Sequence, residues 1–386
     1  MKKLRITLLA LLFYGVTASY SQTDAYDCVA TYLKQHTNTA DSTNLAQVLT
    51  QSIDLPKAGF YLMAELHGVN ATPIVQLALI KKLSAASGLK YVILEMSHSN
   101  AFLMNKYLET GDAAYFKSLT DARRCRWLLD SLIILNRSLQ PQQQIRFIGI
   151  DMEYNNISVY RKAMEILLDV LKQKTGEDRL LSVLQDATRE QSERKYVKLN
   201  EEIKGLLKGQ PKKYQDWLGG NYADLLMITS NQFNDNGMRD DEMFLNFSNN
   251  VHNVFQLQQD EPFFASFGAT HATIMIEKRF IHFITDYYKQ REQEIFLIGT
   301  QYLNCYSVNG TVKISNDGSI AAYGKYASKH SRLLQSLKDS WEEKEGSFAI
   351  IDLKSFSCEN TYPVNLLQKP QLMIMCRNFG PLEKGR

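Results

Sequence analysis

Two continuous apolar runs, residues 60–64 and 91–94, flank a stretch in which apolar residues recur with helical period. Thr72 and Pro73 are typical of a helix N-terminus, and Gly88 is typical of a helix end. Short apolar runs predict buried strands, and the periodic stretch between them predicts a crossover helix. The pattern therefore predicts a β-α-β unit whose two strands run parallel.

Similar apolar runs recur along the rest of the chain. Further strands are predicted at residues 145–150, 263–267, 295–298, 347–353 and 372–376. Residues 157–247 are instead charged and helical in period, which predicts a long helical insertion. The whole pattern predicts an α/β fold with a largely parallel sheet and flanking helices. We expect the insertion to form one wall of a cleft at the sheet.

The N-terminus has the organisation of a secretory signal. Basic residues at positions 2, 3 and 5 precede a short apolar segment, and small residues follow it. Such a segment is too short to span a bilayer, and we expect cleavage between Ser21 and Gln22. Residues 1–21 are thus predicted to be a signal peptide. Residues 22–386 are predicted to form a single domain that is periplasmic or secreted, with no stable membrane insertion.

Charge and cysteine content limit the class of protein further. The formal charge of +3 falls to zero when the three basic residues of the signal are removed. A neutral mature chain does not indicate a nucleic-acid surface. The cysteines show no Cys-x-x-Cys spacing and hence no zinc ribbon. In an exported protein one or two disulfides are possible, with Cys358–Cys376 the first pair to test; the other cysteines are Cys28, Cys125 and Cys305.

Ionisable residues stand at the ends of the predicted strands. They are Glu65, His67, Glu95, Asp151 and His271. In open α/β sheets ligands bind beyond the carboxyl ends of the strands, so we expect these side chains to converge on one cleft. A carboxylate beside an imidazole fixes its tautomer and raises its basicity, as a general base requires.

Each of these residues also has a structural interpretation. Glu65 would then cap the following helix, and His67 would satisfy a carbonyl of its loop. His98 is expected to be a surface neighbour of the site. Tyr154 suits either the cleft wall or a loop cap. The coincidence at successive strand ends favours the functional interpretation, because buried charges are costly unless used or paired.

Several segments resemble the erythromycin esterase family. The segment "YVILEMSHSNAFLMNKYLETGD" (91–112) resembles its acidic strand end and the helix after it, and "RFIGIDME" (146–153) resembles its strand ending in Gly-x-Asp. The closest similarity is "RDDEMFLN" (239–246), which resembles an Arg-Asp-x-x-Met-x-x-Asn helix. "FFASFGATHATI" (263–274) stands where the family has a strand leading to an Ala-His pair. The resemblance covers roughly residues 55–380.

The resemblance implies metal-independent hydrolysis of a macrolide lactone ester, with a small-molecule substrate and no cofactor. Carried over by position, it makes His67 the base that activates water. Glu65 and Glu95 become its carboxylate partners, and His271 a second imidazole of the cleft. Polar groups that support or bind the substrate would be Asp151, Arg239 and Tyr154.

The Glu-Leu-His spacing at residues 65–67 also resembles two other groups. One comprises ChaN-like haem-binding lipoproteins, which implies ligand or haem binding without catalysis. The other comprises Tiki-type metalloproteases, which implies a divalent metal held by Glu65, His67 and His271. Metal sites of this kind need at least three convergent ligands. An ester hydrolase is our first hypothesis, and these two are its alternatives.

Overall fold

The computed structural model contains an α/β fold built on an eight-stranded sheet. It describes residues 28, 31–119, 125–153, 157–190, 193–231, 239–258, 260–268, 271–272, 279–303, 305, 341, 345–356 and 370–379. The predicted signal peptide and Tyr154 lie outside these residues. No helix in these ranges is long and apolar enough to cross a membrane.

All the predicted strands are present, with small differences at their ends. The strands are β1 (Thr37–Ala40), β2 (Phe60–Glu65), β3 (Tyr91–Ser97), β4 (Arg146–Asp151), β5 (Phe263–Gly268), β6 (Ile295–Leu303), β7 (Phe348–Asp352) and β8 (Leu372–Arg377). The sequence pattern missed β1, a four-residue strand without a continuous apolar run. It also placed the end of β6 too early, since polar Thr300 and Gln301 continue that strand.

The strand order is β1-β7-β8-β6-β2-β5-β3-β4. Strands β2 and β3 point in the same direction, as predicted, but β5 lies between them and pairs with both. Among the strand pairs of the described residues, only β1–β7 and β7–β8 are antiparallel. The largely parallel sheet predicted from the sequence is therefore confirmed.

Thirteen α-helices whose bounds lie in the described residues surround this sheet. They are α1 (Leu45–Ser52), α2 (Ala71–Ser87), α3 (His98–Thr110), α4 (Ala113–Ser118), α5 (Arg126–Ser138), α6 (Ile157–Lys172), α7 (Arg179–Arg189), α8 (Glu193–Gly209), α9 (Pro211–Leu218), α10 (Asn221–Ser230), α11 (Arg239–Leu245), α12 (His252–Phe255) and α13 (Phe280–Lys289). A π-helical turn, Asn246–Val251, joins α11 to α12. The crossover helix begins at Ala71 and ends before Gly88, whose φ of 69° suits a glycine at a helix end.

Helices cover both faces of the sheet. On β2, Tyr61 and Met63 pack on one face with α2, α3 and α5, whereas Phe60 and Leu62 pack on the other with α11 and α13. This alternation follows from the two-residue period of a strand. Because both faces are buried, the central strands are continuous apolar runs, which made them recognisable in the sequence.

The predicted insertion is helical and packs onto the rest of the fold. Helices α6 and α10 contact α3, and α11 contacts β4. Arg239, at the start of α11, reaches the carboxyl ends of β3 and β4. Among the described residues of the insertion, α11 supplies the side chains of the cleft, and the earlier helices extend the helical layer beside α3.

The free edge of β4 is covered by side chains rather than by another strand. The amide of Asn136 pairs with the backbone N–H and C=O of Ile145, and the amide of Asn105 pairs with those of Phe147. Unpaired backbone groups at a sheet edge are a template for aggregation, which these amides prevent.

The expected Cys358–Cys376 disulfide is wrong. Cys376 in β8 is a buried thiol that is not disulfide-bonded, as are Cys305 and Cys125, and Cys358 lies outside the described residues. Cys28 is the cysteine of the described residues that is disulfide-bonded. Spacing along the chain carried no information about which thiols approach each other.

Candidate active site

The side chains predicted to converge do lie together at the carboxyl ends of the central strands. Glu65 ends β2, Glu95 stands two residues before the end of β3, and Asp151 ends β4. His67 follows β2, and His271 follows β5 by three residues. Since these strands run parallel, their carboxyl ends share one edge of the sheet, which explains the convergence.

His67 is oriented by the carboxylate that precedes it. Its Nδ1 lies 2.7 Å from Glu65 Oε1. A carboxylate only accepts, so Nδ1 donates to Glu65, and Nε2 on the other side of the ring lies 3.5 Å from Glu95 Oε2. The His67 side chain is 41% exposed, whereas that of Glu65 is 1% exposed. The pair thus presents an accessible nitrogen base backed by a buried anion.

Two neutral donors complete the environment of Glu65. Gln76 Nε2 donates to Glu65 Oε2 at 2.7 Å, and the Ser266 hydroxyl donates to the same oxygen. The structural hypothesis that Glu65 caps the following helix is therefore not what the geometry shows. Gln76 and Ser266 were missed in the sequence, where a lone amide in a helix and a lone serine in a strand give no signal.

Glu95 is the carboxylate on which the site converges. Its Oε2 accepts the backbone N–H of Gly268 at 2.8 Å and lies 3.5 Å from His67 Nε2. Its Oε1 lies 2.8 Å from Arg239 Nη2 and 3.4 Å from His271 Nε2. One buried carboxylate thus faces both imidazoles and the guanidinium, which fixes all of them in one small volume.

Close approach of the backbone makes this arrangement fit. A Cβ at Gly268 would lie 2.8 Å from His67 Nε2 and 3.2 Å from Glu95 Oε2. In β3, the register with β4 shifts between Leu94 and Ser97. Such irregularities re-aim side chains near active sites, and this one precedes the helix that begins at His98.

Arg239 is held by two carboxylates. Its Nη2 pairs with Glu95 and with Asp151 Oδ2, and its Nε lies 3.2 Å from both oxygens of Asp151. The side chain is 38% exposed, so part of the guanidinium faces the cleft. A planar cation fixed in this way is suited to bind an oxygen anion.

His271 has a carboxylate of its own. Its Nδ1 is hydrogen-bonded to Asp240, and Asp240 also accepts the backbone N–H of Phe280 at 3.0 Å. Arg239 Nη1 lies 3.3 Å from His271 Nε2. A guanidinium only donates, so that nitrogen is an acceptor and the ring carries its proton on Nδ1.

Asp240 was missed although it lies in the "RDDEMFLN" segment. That segment stood out for its Arg-Asp-x-x-Met pattern, but only Arg239 was assigned to the site. The acidic residues of a first helical turn usually interact with the helix N-terminus. Only packing of α11 against α13 shows that this aspartate orients an imidazole.

The expectation that His98 is a surface residue is wrong. Its side chain is fully buried, with Nε2 3.0 Å from Asp224 Oδ1 and Nδ1 accepting the N–H of Gly149 at 3.3 Å. Arg146 Nη2 lies 2.6 Å from the other oxygen of Asp224. Burial by itself would raise the pKa of Asp224, but Arg146 and His98 lower it to about 2.

A second buried carboxylate lies behind the cleft. Glu153 accepts the backbone N–H of His98 at 2.7 Å and that of Ser99 at 3.2 Å, at the N-terminus of α3. Burial raises the pKa of Glu153 to about 7, although these hydrogen bonds act in the opposite direction. Asn231 links it to the cleft strand by donating to both Glu153 and the carbonyl of Asp151.

No group of three or more His, Cys, Asp or Glu side chains in the described ranges is arranged to hold a metal ion. Both ring nitrogens of each cleft imidazole instead face protein groups. His67 lies between Glu65 and Glu95, and His271 lies between Asp240 and the pair formed by Glu95 and Arg239.

Comparison with known proteins finds no matching family model and no matching curated protein. Solved structures do match along most of the chain. A protein from Bacillus cereus gives a TM-score of 0.59 at 16% identity, covering 94% of this chain and 99% of its own. A succinoglycan biosynthesis protein gives a TM-score of 0.52 at 13% identity, covering 92% of this chain and 97% of its own. A mutant of erythromycin esterase EreC in its open conformation gives a TM-score of 0.54 at 11% identity, covering 91% of this chain and 99% of its own.

These matches establish the fold. The chain has an erythromycin esterase-like α/β fold over about nine-tenths of its length, in agreement with the resemblance seen in the sequence. Identities of 11–16% carry no information about substrate. The function therefore has to be argued from the site itself.

Proposed function

We propose that the protein is an exported hydrolase that cleaves an ester by activating water with His67. The observation that carries this proposal is the geometry of the His67 ring. Its Nδ1 is bound to Glu65 at 2.7 Å, its Nε2 lies 3.5 Å from the carboxylate of Glu95, and the side chain is 41% exposed. A neutral imidazole of this tautomer, accessible to water, has the properties of a general base.

The reaction follows from these groups. Nε2 of His67 takes a proton from water as the water oxygen forms a bond to the acyl carbon. The bond between the acyl carbon and the alcohol oxygen then breaks, and the leaving oxygen receives the proton from His67. Glu65 stays ionised and stabilises the imidazolium, and Glu95 holds the ring from the other side.

The remaining groups of the cleft receive supporting roles. Arg239, fixed by Glu95 and Asp151, is placed to bind the oxygen that becomes negative in the transition state. His271, oriented by Asp240, is the second cleft imidazole and accepts from Arg239. Asp151, Arg239 and Tyr154 are proposed to contact the substrate, the last by resemblance alone.

The substrate is proposed to be a small molecule, without a cofactor. The EreC neighbour is by name an esterase, so a macrolide lactone belongs in the substrate panel. The panel also needs unstrained alkyl esters and aryl esters, because the identity to that neighbour is only 11%. The esters that are hydrolysed will show which acyl and alcohol groups the cleft accepts, because the geometry of the base does not specify them.

The test is hydrolysis of this panel by purified protein with and without a chelator. We expect at least one ester to be cleaved at a rate that chelator leaves unchanged and that His67→Asn abolishes. His36→Asn is the matched control, because His36 precedes β1, whose first residue pairs with Ile351 near the opposite edge of the sheet.

Each alternative hypothesis gives a different result in the same experiment. A metal-dependent peptidase would lose activity with chelator and regain it with added metal. A haem-binding protein would cleave no ester but would change the absorption spectrum of added haem. Either result would contradict the proposed hydrolase.

A further inference from the structure

Strands β2 and β6 separate at the cleft end of the sheet. They pair as far as Met63 and Ile298, after which β6 continues to Leu303 beside β8. The connections also diverge there, because α2 leads away from β2 on one face of the sheet and α13 leads to β6 on the other. A crevice opens at such a switch point, and the loop carrying His67 lies at its mouth.

Side chains of β6 bridge this crevice. The Thr300 hydroxyl donates to the carbonyl of Ala64, the last residue but one of β2. Two residues further on, the Tyr302 hydroxyl lies 3.3 Å from the N–H of Leu66 and 2.9 Å from the Thr72 hydroxyl. Thr72 in turn donates to the carbonyl of Leu66 at 3.0 Å. Both backbone polar groups of Leu66 are thus held by these two hydroxyls.

The direction of each hydrogen bond in this network is determined. The Leu66 carbonyl only accepts, so the Thr72 hydroxyl donates to it and has no proton left for Tyr302. Tyr302 must therefore donate its own proton to Thr72, and its oxygen accepts the N–H of Leu66. The result is a closed ring of three hydrogen bonds in which every member has its partner.

Burial keeps this ring intact. Tyr302 is 7% exposed and Thr72 is 5% exposed, so water does not compete for either hydroxyl. Burial also raises the pKa of Tyr302, which keeps the phenol protonated and able to donate at any pH the fold survives. A network of this kind, fully satisfied, rigidifies the backbone that it holds.

Leu66 is the residue between Glu65 and His67. Its N–H belongs to the peptide after Glu65, and its C=O belongs to the peptide before His67. Fixing these two peptide planes fixes how the carboxylate and the imidazole face each other. We propose that Tyr302, acting through Thr72 and the backbone of Leu66, is a positioning residue for His67.

This inference rests on the proposed function of His67, but its test does not require a known substrate. Protein labelled with ¹⁵N-histidine gives ring signals for His67, assigned by their loss in His67→Asn. In Tyr302→Phe we expect those signals to shift and broaden and the titration midpoint of the ring to move. The control is Tyr288→Phe, because the buried Tyr288 hydroxyl has no hydrogen-bond partner in the described part of the chain.

Activity gives a second measurement once an ester is found. Displacing a catalytic group by about 1 Å can cost on the order of 100-fold in rate, so we expect kcat to fall by roughly 10- to 100-fold in Tyr302→Phe. KM should change much less, since Tyr302 is buried and its hydroxyl is bound to Leu66 and Thr72. Thr72→Val should behave like Tyr302→Phe, and Thr72→Ser, which keeps the hydroxyl, should retain most of the rate.

The outcomes separate the two proposals. Unchanged His67 ring signals in a folded Tyr302→Phe protein would overturn the positioning role, whatever the activity. If no ester is cleaved, the proposed function fails, while the ring signals still decide whether Tyr302 fixes His67. If Tyr302→Phe does not fold, Thr72→Val and Thr72→Ser make the same comparison, and equal ring signals in the two would contradict the inference.

Discussion

The protein contains two clusters of the same chemical groups. In the cleft, His271 and Asp240 lie beside Arg239, and in the core, His98 and Asp224 lie beside Arg146. Both clusters form an imidazole–carboxylate pair next to a guanidinium. They differ in where the second ring nitrogen faces: Nε2 of His271 faces Glu95 and Arg239, whereas Nδ1 of His98 accepts a backbone N–H.

In the core cluster every polar atom of the ring is used by the fold. His98 accepts the N–H of Gly149 at the free edge of β4 and donates to Asp224, so no nitrogen remains for a substrate. In the cleft, Nε2 of His67 and of His271 faces the shared carboxylate of Glu95, at 3.5 and 3.4 Å. Both nitrogens thus face ionisable side chains of the cleft, whereas the ring of His98 accepts a backbone N–H.

The comparison teaches that an imidazole beside a carboxylate is not in itself evidence of catalysis. The second ring nitrogen distinguishes the two roles. A ring whose second nitrogen accepts a backbone N–H is structural, whereas a ring at a cleft is a candidate base. The following predictions test this distinction, from the largest expected effect to the smallest.

The largest effect is expected for the cleft imidazole. Replacing His67 by Asn keeps much of the volume but removes the basic nitrogen, so the rate should fall by about 10²- to 10⁴-fold. Thermal stability should change little, because His67 is the exposed partner of its pair. Ester hydrolysis and thermal melting of the same samples check both expectations. Full activity in this variant would show that another group activates water.

Breaking the core cluster should affect stability instead. Asp224→Asn leaves Arg146 without its anion, and removing one partner of a buried pair costs about 3–5 kcal/mol. We expect the low end of this range, because the Arg146 side chain is 29% exposed. Urea denaturation measures the loss, with Asp169→Asn, at an exposed position of α6, as the control. A variant that stayed stable but lost its rate per folded molecule would place this cluster in the catalytic machinery.

Glu153 should make stability depend on pH. Its pKa is about 7 in the folded protein against an ordinary value of 4.5. Between these values the folded chain holds a proton that the unfolded chain has lost, so stability falls as pH rises through this window. The total change in the free energy of unfolding is about 3.5 kcal/mol, from about 1.4 kcal/mol for each of the 2.5 pKa units.

Glu153→Gln removes this titration and should flatten the stability curve. Urea denaturation at pH 5 and pH 8 should therefore show a smaller difference for Glu153→Gln than for the unaltered protein. Glu165→Gln, at a half-exposed position of α6, should keep the full difference. If the free energy of unfolding changed equally with pH in all three proteins, Glu153 would be ionised over the whole pH range.

The smallest effect concerns the pH profile of the rate. Only the unprotonated imidazole accepts a proton, so the rate should rise through a single limb around roughly pH 6–7. Below the midpoint each pH unit should change the rate about tenfold. Initial rates measured across this range with a neutral ester test the prediction. A rate that does not depend on pH here would exclude an imidazole as the base.

Much of the fold was predictable from local patterns. Strands β2 to β8 were recognised because a sheet buried on both faces requires continuous apolar runs, as at residues 60–64 and 91–94. Strand β1 was missed because an edge strand of four residues carries no such run. The helical segment 157–247 was recognised by its period, but its packing was not.

The sequence by itself determined which residues end the parallel strands, and hence that Glu65, Glu95, Asp151 and the histidines after β2 and β5 meet at one edge. This follows from chain direction alone, because parallel strands end on the same side. Only the tertiary structure decided the partners of each imidazole. Asp240, Gln76 and Tyr302 approach the site across strand and helix contacts that join distant parts of the chain. Such contacts leave no periodic signal, since each depends on the packing of whole elements and not on the spacing of neighbouring residues.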